Sequence, residues 1–455
     1  MTSILRAIAG MLFAFSLATI SMSQEEGLGV LVHKERALDG YTLIAPQFDN
    51  NVYLIDNDGR LVNKWDIGSF TREAHLLENG NIVVVKAPED EIDKSLFELG
   101  YSPDGAVAEY TWDGDLVWEY AFLGANRHQH HGIDVLPNGN VLAIIWDYHP
   151  LEEALVMGLD PAIAEEIFLD VKTFLPDVIV EIDRLNGEIV WTWNAWDHLI
   201  QNVDENLPNF GAPSANPQRI DINYQKYALK ELSTDWSAGP ADWMHVNSVN
   251  YNPALNQLVL SVHRFDEIWI INRNLTAEEA AGPAGDLLYR WGNPFAYGQG
   301  SLTEDRKLFQ QHDAQWIDEG SPGAGNLLIY NNRNNVVRED EQAEDEYSSI
   351  IELKLPLRDD GSYDWDAEAE IVWQYDKGFY SRIISGVQRL PNGNTLITEG
   401  VPGRLLEVTH DGEVVWEFIS PVPEDRNWLF RVRKYPADHP GFAGKDLLPG
   451  PVLGA

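Results

Sequence analysis

The chain repeats itself, and the repeating unit is a pair of β-hairpins. One phrase sets an Asn-Gly turn between short apolar stretches: Leu76-Leu77-Glu78-Asn79-Gly80-Asn81 before IVVV, VLPNGNVLAI at 135–144, and RLPNGNTLIT at 389–398. Asn and Gly tolerate successive positive φ angles, so the pair closes a tight hairpin. The second phrase is a strand, an Asp/Asn-Gly turn and a strand ending in Trp. It occurs as VYLIDNDGRLVNKW (52–65), VAEYTWDGDLVWEY (107–120), IVEIDRLNGEIVWTW (179–193) and LLEVTHDGEVVWEF (405–418), with looser copies at 267–291 and 350–375. Two hairpins make a four-stranded antiparallel sheet, and radial repetition of such sheets makes a propeller. Six aromatic-ended phrases predict an all-β, six-bladed β-propeller, with seven blades as the competing count. GYTLIAP at 40–46 is expected to start the first blade, and FRVRKY at 430–435 to close the ring.

Two long stretches interrupt the repeat, at about 148–177 and 194–241. The first is rich in Ala, Glu and Leu and predicts a short helix. Loops this long inside a compact repeat usually cover or shape a site. Residues 1–23 read as a secretory signal: Arg6 gives the positive start, Ile8 to Ile20 the apolar run, and Ser21-Met22-Ser23 the small residues before a cut. The remainder, 24–455, is expected to be a single propeller domain without a membrane span, located in the periplasm or secreted. The chain has no Cys, so an export route that permits disulfides is not used for them.

Composition narrows the partners. Lys and Arg number 32 against 72 Asp and Glu, a formal net charge of −40, which argues against nucleic acid as a partner. The acidic loop Glu339 to Glu346 (EDEQAEDE) is the candidate for Ca²⁺, but it lacks the alternating ligand spacing of a calcium loop, so that signal is weak. Oligomeric state is left open, with a homodimer one option.

The histidines are unevenly placed. His128, His130 and His131 crowd before the second Asn-Gly turn, His245 opens HVNSVNY, His263-Arg264 ends LVLSVHR, and His312 sits in QQHDAQW. His131, His245 and His312 are read as holding the same place in three successive blades. Equivalent positions of a propeller's innermost strands converge on its axis, so the three predict a polyhistidine pocket. Such a pocket has three readings: transition-metal binding, nucleophilic work on a sulfur or phosphorus ester, or histidines that only satisfy backbone groups in a wet channel.

With these motifs the sequence resembles the bacterial arylsulfate sulfotransferases that do not use an adenylyl-sulfate donor. The resemblance runs over about 40–420, carried by YLIDNDGRLVNKW, HHGIDVLPNGN, DWMHVNS, RWGNPFAYGQG, QQHDAQW with GNLLIYNN, and SGVQRLPNGNTLITEG. It implies a ping-pong reaction in which a phenolic sulfate donor passes its sulfuryl group to a histidine and a phenol acceptor removes it. His312 matches the sulfohistidine, His245 and Asn247 the groups holding the sulfate oxygens, and His131, with His130 as second choice, the remaining histidine. Trp243 of the same DWMHVNS segment is expected to bind substrate. No metal and no cofactor are required.

One position departs from the family pattern. Where an arginine is expected on the partner strand, the text reads Ser261-Val262-His263-Arg264, one residue out of step. A one-residue shift along a strand turns a side chain to the other face, so His263 is expected inside and Arg264 outside unless a bulge intervenes. His131 or His245, with a pKa near neutrality, is expected to protonate the departing phenolate. Trp196, Phe210 and Tyr224 in the second insertion are read as packing residues more than as aryl-stacking ones. The rival readings are a sulfate- or phosphate-ester hydrolase on the same site, a non-catalytic ligand-binding propeller, and a quinone-dependent dehydrogenase, which commonly has eight blades.

Overall fold

A computed structural model describes residues 27–88, 104–124, 126–168, 172–225, 241–334, 346–424 and 426–454. The signal segment and the acidic loop before Glu346 lie outside these residues. Six antiparallel sheets follow one another around a ring. Blade I joins Gly40–Ile44, Asn51–Ile55 and Leu61–Asp66 to Arg433–Pro436 from the other end of the chain. Blade II is Thr71–Leu76, Ile82–Lys86, Ala106–Tyr110 and Leu116–Ala121. Blade III is Arg127–Val135, Val141–Asp147, Asp177–Asp183 and Glu188–Asn194. Blade IV runs through Val246–Asn252, Gln257–Val262, Glu267–Asn272 and Tyr289–Trp291, and blade V through His312–Trp316, Leu327–Asn331, Ser349–Lys354 and Glu370–Tyr375. Blade VI is Gly386–Arg389, Thr395–Glu399, Arg404–Val408 and Val414–Ile419, with Gly29–His33 added outside as a fifth strand.

The count of six stands, and the 430–435 tail closes the ring as its innermost strand in blade I. Closure matters because each blade is stable only if both faces are covered. The apolar core is accordingly divided into wedges between neighbouring blades. One wedge joins Leu54 and Trp65 of blade I to Val84 of blade II, and another joins Ile55 of blade I to Leu405 and Phe418 of blade VI.

The recurring Trp now has a physical reason. An indole N–H buried between blades needs an acceptor. Trp65, Trp191, Trp373 and Trp416, each on the fourth strand from the axis, donate Nε1–H to the carbonyls of Thr111, Leu275, His410 and Asn57, each at 2.9 Å. In every case the acceptor follows the third strand of the next blade. The Asn that follows the Gly of each of these turns has a matching use. Asn81, Asn140, Asn326 and Asn394 each donate to a glutamate of their own third strand, Glu109, Glu181, Glu352 and Glu407, at 2.7 Å. Those glutamates pair in turn with Arg184, Arg273, Arg389 and Lys434 of the following blade. The repeat thus encodes a polar clamp between blades as well as a hairpin.

The first insertion holds a helix, Leu151–Val156, as expected. The second begins with a 3₁₀ turn, Ala195–His198, and pairs Leu199–Ile200 with Ile220–Asp221. No helix among the described residues is long and apolar enough to cross a membrane.

Candidate functional site

Five imidazoles form one continuous arc at the inner ends of blades III, IV and V. Ring centres are 4.9 Å apart for His130 and His131, 4.4 Å for His131 and His245, 5.0 Å for His245 and His263, and 5.1 Å for His263 and His312. Four blade segments contribute, so the arc is a product of ring geometry with no local motif behind it.

Backbone irregularity aims these rings. The pairing of the innermost strand slips by a bulge in blade III opposite Ile144, in blade IV between Val246 and Ser248, and in blade V between His312 and Gln315. A bulge re-aims side chains that a regular pleat would alternate. His131, His245 and Asp313 adopt left-handed φ angles of 57°, 52° and 50° there. By ladder position His131 lies opposite Ile144 and His312 opposite Tyr330, each the fourth residue of its blade's second strand, so these two hold the same place, whereas His245 precedes the Val246–Val262 pair and lies out of step with them. The rings still converge because His263 fills the gap between blades IV and V.

His312 is held from one side. Its Nδ1 lies 2.7 Å from Oδ1 of Asn332 and 3.2 Å from the Gln310 carbonyl. The Asn332 Nδ2 group donates to the carbonyls of Ser381 and Ile384, both at 2.9 Å, which fixes Oδ1 toward the imidazole. Both groups facing Nδ1 only accept, so Nδ1 carries the hydrogen and Nε2 keeps its lone pair. Burial holds the His312 pKa down to about 3, with the charges of His245 and Arg431 adding to it and the Asn332 bond opposing. The ring is neutral at physiological pH, as a nucleophile must be.

His245 is oriented by Asp242, whose Oδ2 contacts its Nδ1, while Oδ1 of Asp242 accepts the Trp146 indole N–H at 2.9 Å. Burial, with the neighbouring histidines and Arg72, drives the His131 pKa well below its ordinary value, which corrects the expectation that His131 titrates near neutrality. Asn247 donates from Nδ2 to the Gln311 carbonyl at 2.8 Å, placing it against the residue before His312, and its buried Oδ1 accepts no hydrogen bond from any of the described residues.

His263 and Arg264 are not on a strand. They begin a 3₁₀ turn, His263–Phe265, ended by Asp266 at a φ of 54°. Strand alternation therefore does not decide their directions. His263 joins the arc. The Arg264 N–H donates to the Met244 carbonyl at 3.0 Å, and burial lowers its guanidinium to about 9 against the charge of Asp266. Trp243 is not brought to the arc: its indole donates to the Tyr224 carbonyl at 2.9 Å and its ring packs against Phe174 and Phe265. In the second insertion Trp196 stacks on His149 at 3.9 Å and Tyr224 is buried on Phe265, whereas Phe210 is exposed.

Two cations that the motifs did not single out stand near the arc. Arg431, just ahead of the closing strand, binds Glu73 at 2.9 Å and Asp313 at 2.8 Å, and reaches the Asn247 carbonyl at 3.4 Å. Gly132 and Gly386 make room for it; a Cβ at Gly132 would come within 3.1 Å of its Nη1, and one at Gly386 within 2.9 Å of its Cγ. Arg72 pairs with Asp104 at 2.5 Å and lies over the Phe430 ring. Their only signal in the sequence was position, Arg72 aligning with His131 relative to the Asn-Gly turn and Arg431 preceding the closing strand. Among the described residues no group of three or more His, Asp or Glu side chains is arranged to hold a metal ion.

Fold and arc together define a six-bladed propeller with an axial, histidine-lined site supplied by several blades. The chain belongs to the arylsulfotransferase (ASST) family, whose model matches residues 22–419. Membership gives it an aryl sulfotransferase activity in general terms, with a sulfate donor and an acceptor. No curated protein matches the chain. Among solved structures it is similar to a protein of unknown function from Bacteroides caccae, at 12% identity over 87% of this chain and 98% of that one with a TM-score of 0.47. It is also similar to a streptogramin B lyase, at 12% identity over 86% and 83% with a TM-score of 0.40. A third is virginiamycin B lyase from Staphylococcus aureus, at 9% identity over 88% and 90% with a TM-score of 0.37.

Proposed function

We propose that the protein moves a sulfuryl group from a phenolic sulfate ester to a phenol through a covalent sulfohistidine at His312. The observation that carries this reading is the fixed tautomer of His312, with Nδ1–H turned to Asn332 and the Nε2 lone pair available. Nε2 attacks sulfur, the S–O(aryl) bond breaks, and its electron pair leaves on the phenolate. The acceptor phenol reverses these steps and frees His312.

A sulfate monoester is an anion, so the pocket must hold negative charge. His263 adjoins His312 in the arc and His245, oriented by Asp242, adjoins His263; both are suited to the sulfuryl oxygens. Arg431 adds fixed positive charge next to Asp313 and Asn247. The reaction so written calls for no metal ion or cofactor. The apolar segment 8–20 with its small-residue end supports export to the periplasm or beyond.

The test is release of 4-nitrophenol from 4-nitrophenyl sulfate by the purified protein, with and without added phenol. Sustained release that depends on phenol supports transfer. Sustained release without phenol makes the protein a hydrolase. An absence of release that is the same in the His312→Asn variant contradicts the proposal.

A further inference from the structure

Nδ1 of His130 and Nδ1 of His131 are 2.6 Å apart. Two lone pairs cannot face each other at that distance, and neither can two N–H groups, so one hydrogen lies between them. The other nitrogen of His130, Nε2, is 2.9 Å from Oδ1 of Asp177. Neutral rings therefore admit two arrangements. If Asp177 is ionised, His130 donates to it from Nε2 and accepts at Nδ1 from His131, and Nε2 of His131 is a bare lone pair. If Asp177 holds a proton, it donates to His130 Nε2, His130 donates from Nδ1 to His131, and His131 presents an Nε2–H.

The surroundings favour the second arrangement. From the segment before Val246–Asn252 come Asp242 and His245, and the Val246 N–H donates to Oδ2 of Asp177 at 2.8 Å. From blade II come Arg72 and Asp104, the latter accepting the His131 N–H at 3.1 Å; neutral His312 stands on the blade V side. Trp146 stacks on the His130 ring at 4.2 Å and 15°, closing that side to water. Burial and the charge of Asp242 raise the Asp177 carboxyl well above the ordinary carboxylate range, against the Val246 bond and His245. Burial holds His130 to about 3 despite Asp242 and Asp104. The proton thus belongs on the carboxyl group, and the imidazoles stay neutral.

We propose that Asp177, His130 and His131 form a proton relay that protonates the departing phenolate through a double tautomer shift. This rests on the sulfuryl-transfer reading above. As the S–O(aryl) bond breaks and the N–S bond forms at His312, His131 gives its Nε2 proton to the phenolate oxygen. His131 takes a proton at Nδ1 from His130, and His130 takes one at Nε2 from Asp177, which becomes a carboxylate. The incoming phenol returns its proton along the same path while its oxygen attacks sulfur. The relay supplies an acid at neutral pH where neither imidazole can be one as a cation.

A proton matters most to a basic leaving group, so the experiment compares donors. In single turnovers, the loss caused by Asp177→Asn is expected to be at least about 10²-fold larger for phenyl sulfate than for 4-nitrophenyl sulfate. A merely structural role of Asp177 would slow both alike, and equal losses overturn the relay. Two spectra of the protein without donor decide the proton's place independently of activity. The wild type is expected to show the infrared carbonyl stretch of a buried protonated carboxyl that Asp177→Asn lacks. The ¹⁵N imidazole spectrum, assigned with His131→Gln, is expected to show His131 protonated at Nε2. A bare His131 Nε2 at neutral pH overturns the relay even if Asp177→Asn does not fold. A protein that transfers sulfuryl from no donor overturns the function instead, and these spectra still report where the proton sits.

Discussion

Asn332 Oδ1 lies 2.7 Å from Nδ1 of His312, and the amide that carries it is locked by two backbone carbonyls. That contact chooses which imidazole nitrogen is free. Replacing Asn332 with Leu removes the acceptor and leaves the Gln310 carbonyl, a longer contact, as the remaining partner of Nδ1. The single-turnover rate with 4-nitrophenyl sulfate is expected to fall by on the order of 10²-fold, as for other catalytic histidines deprived of their orienting group. An unchanged rate would show that the tautomer is set elsewhere.

The nucleophile should be insensitive to mild acid. Because His312 titrates at about 3 instead of 6.5, its lone pair persists far below neutrality. The pH dependence of the first sulfuryl transfer from 4-nitrophenyl sulfate, which needs little help from an acid, is expected to lack a downturn near 6.5. A titration midpoint there would mean that solvent reaches the ring.

Stability should carry the opposite signature. His130 and His312 have folded pKa values near 3, below the 6.5 of the unfolded chain, so the unfolded state binds more protons as the pH drops. Their contribution is full above 6.5 and is lost as the pH falls from there toward 3. Glu73 acts later: Arg431 and His75 outweigh its burial and hold it to about 2 against 4.5, so its contribution goes between those values. Denaturant titrations at stepped pH are expected to show the midpoint beginning to fall below about pH 6.5. A midpoint constant down to pH 4.5 contradicts this.

Ring closure has a measurable weak point. Lys434 is buried in the closing strand and pairs with Glu407 of blade VI at 2.8 Å. Lys434→Met leaves a buried carboxylate without its cation and is expected to cost about 3–5 kcal/mol in denaturant unfolding. The double variant with Glu407→Leu should recover much of that loss. Trp65→Phe, which strips the Thr111 carbonyl of its indole donor, is expected to cost about 1–3 kcal/mol.

The fold was legible because its determinants are local and periodic. The Asn-Gly turns and the Trp of the fourth strands recur in register, and the structure gives each a repeated contact. The site was legible only in outline. The blade phase led to His131, His245 and His312; the ladder keeps His131 and His312 at one level, opposite Ile144 and Tyr330, but His245 sits beyond the Val246–Val262 pair. Arg264 was read by strand alternation, which does not apply within the His263–Phe265 turn. Asn332, Asp177 and Arg431 escaped notice because each belongs to a different blade edge. Their roles exist only once the ring is closed.

The central claim is that His312 carries the sulfuryl group. It is tested most directly by mixing the protein with 4-nitrophenyl sulfate without acceptor, quenching at alkaline pH, and weighing the peptides. The account predicts one added sulfuryl group on the peptide holding His312, removed by a chase with phenol and absent from His312→Asn. Transfer to phenol with that peptide unmodified at every time, or with the added mass on another residue, would contradict it.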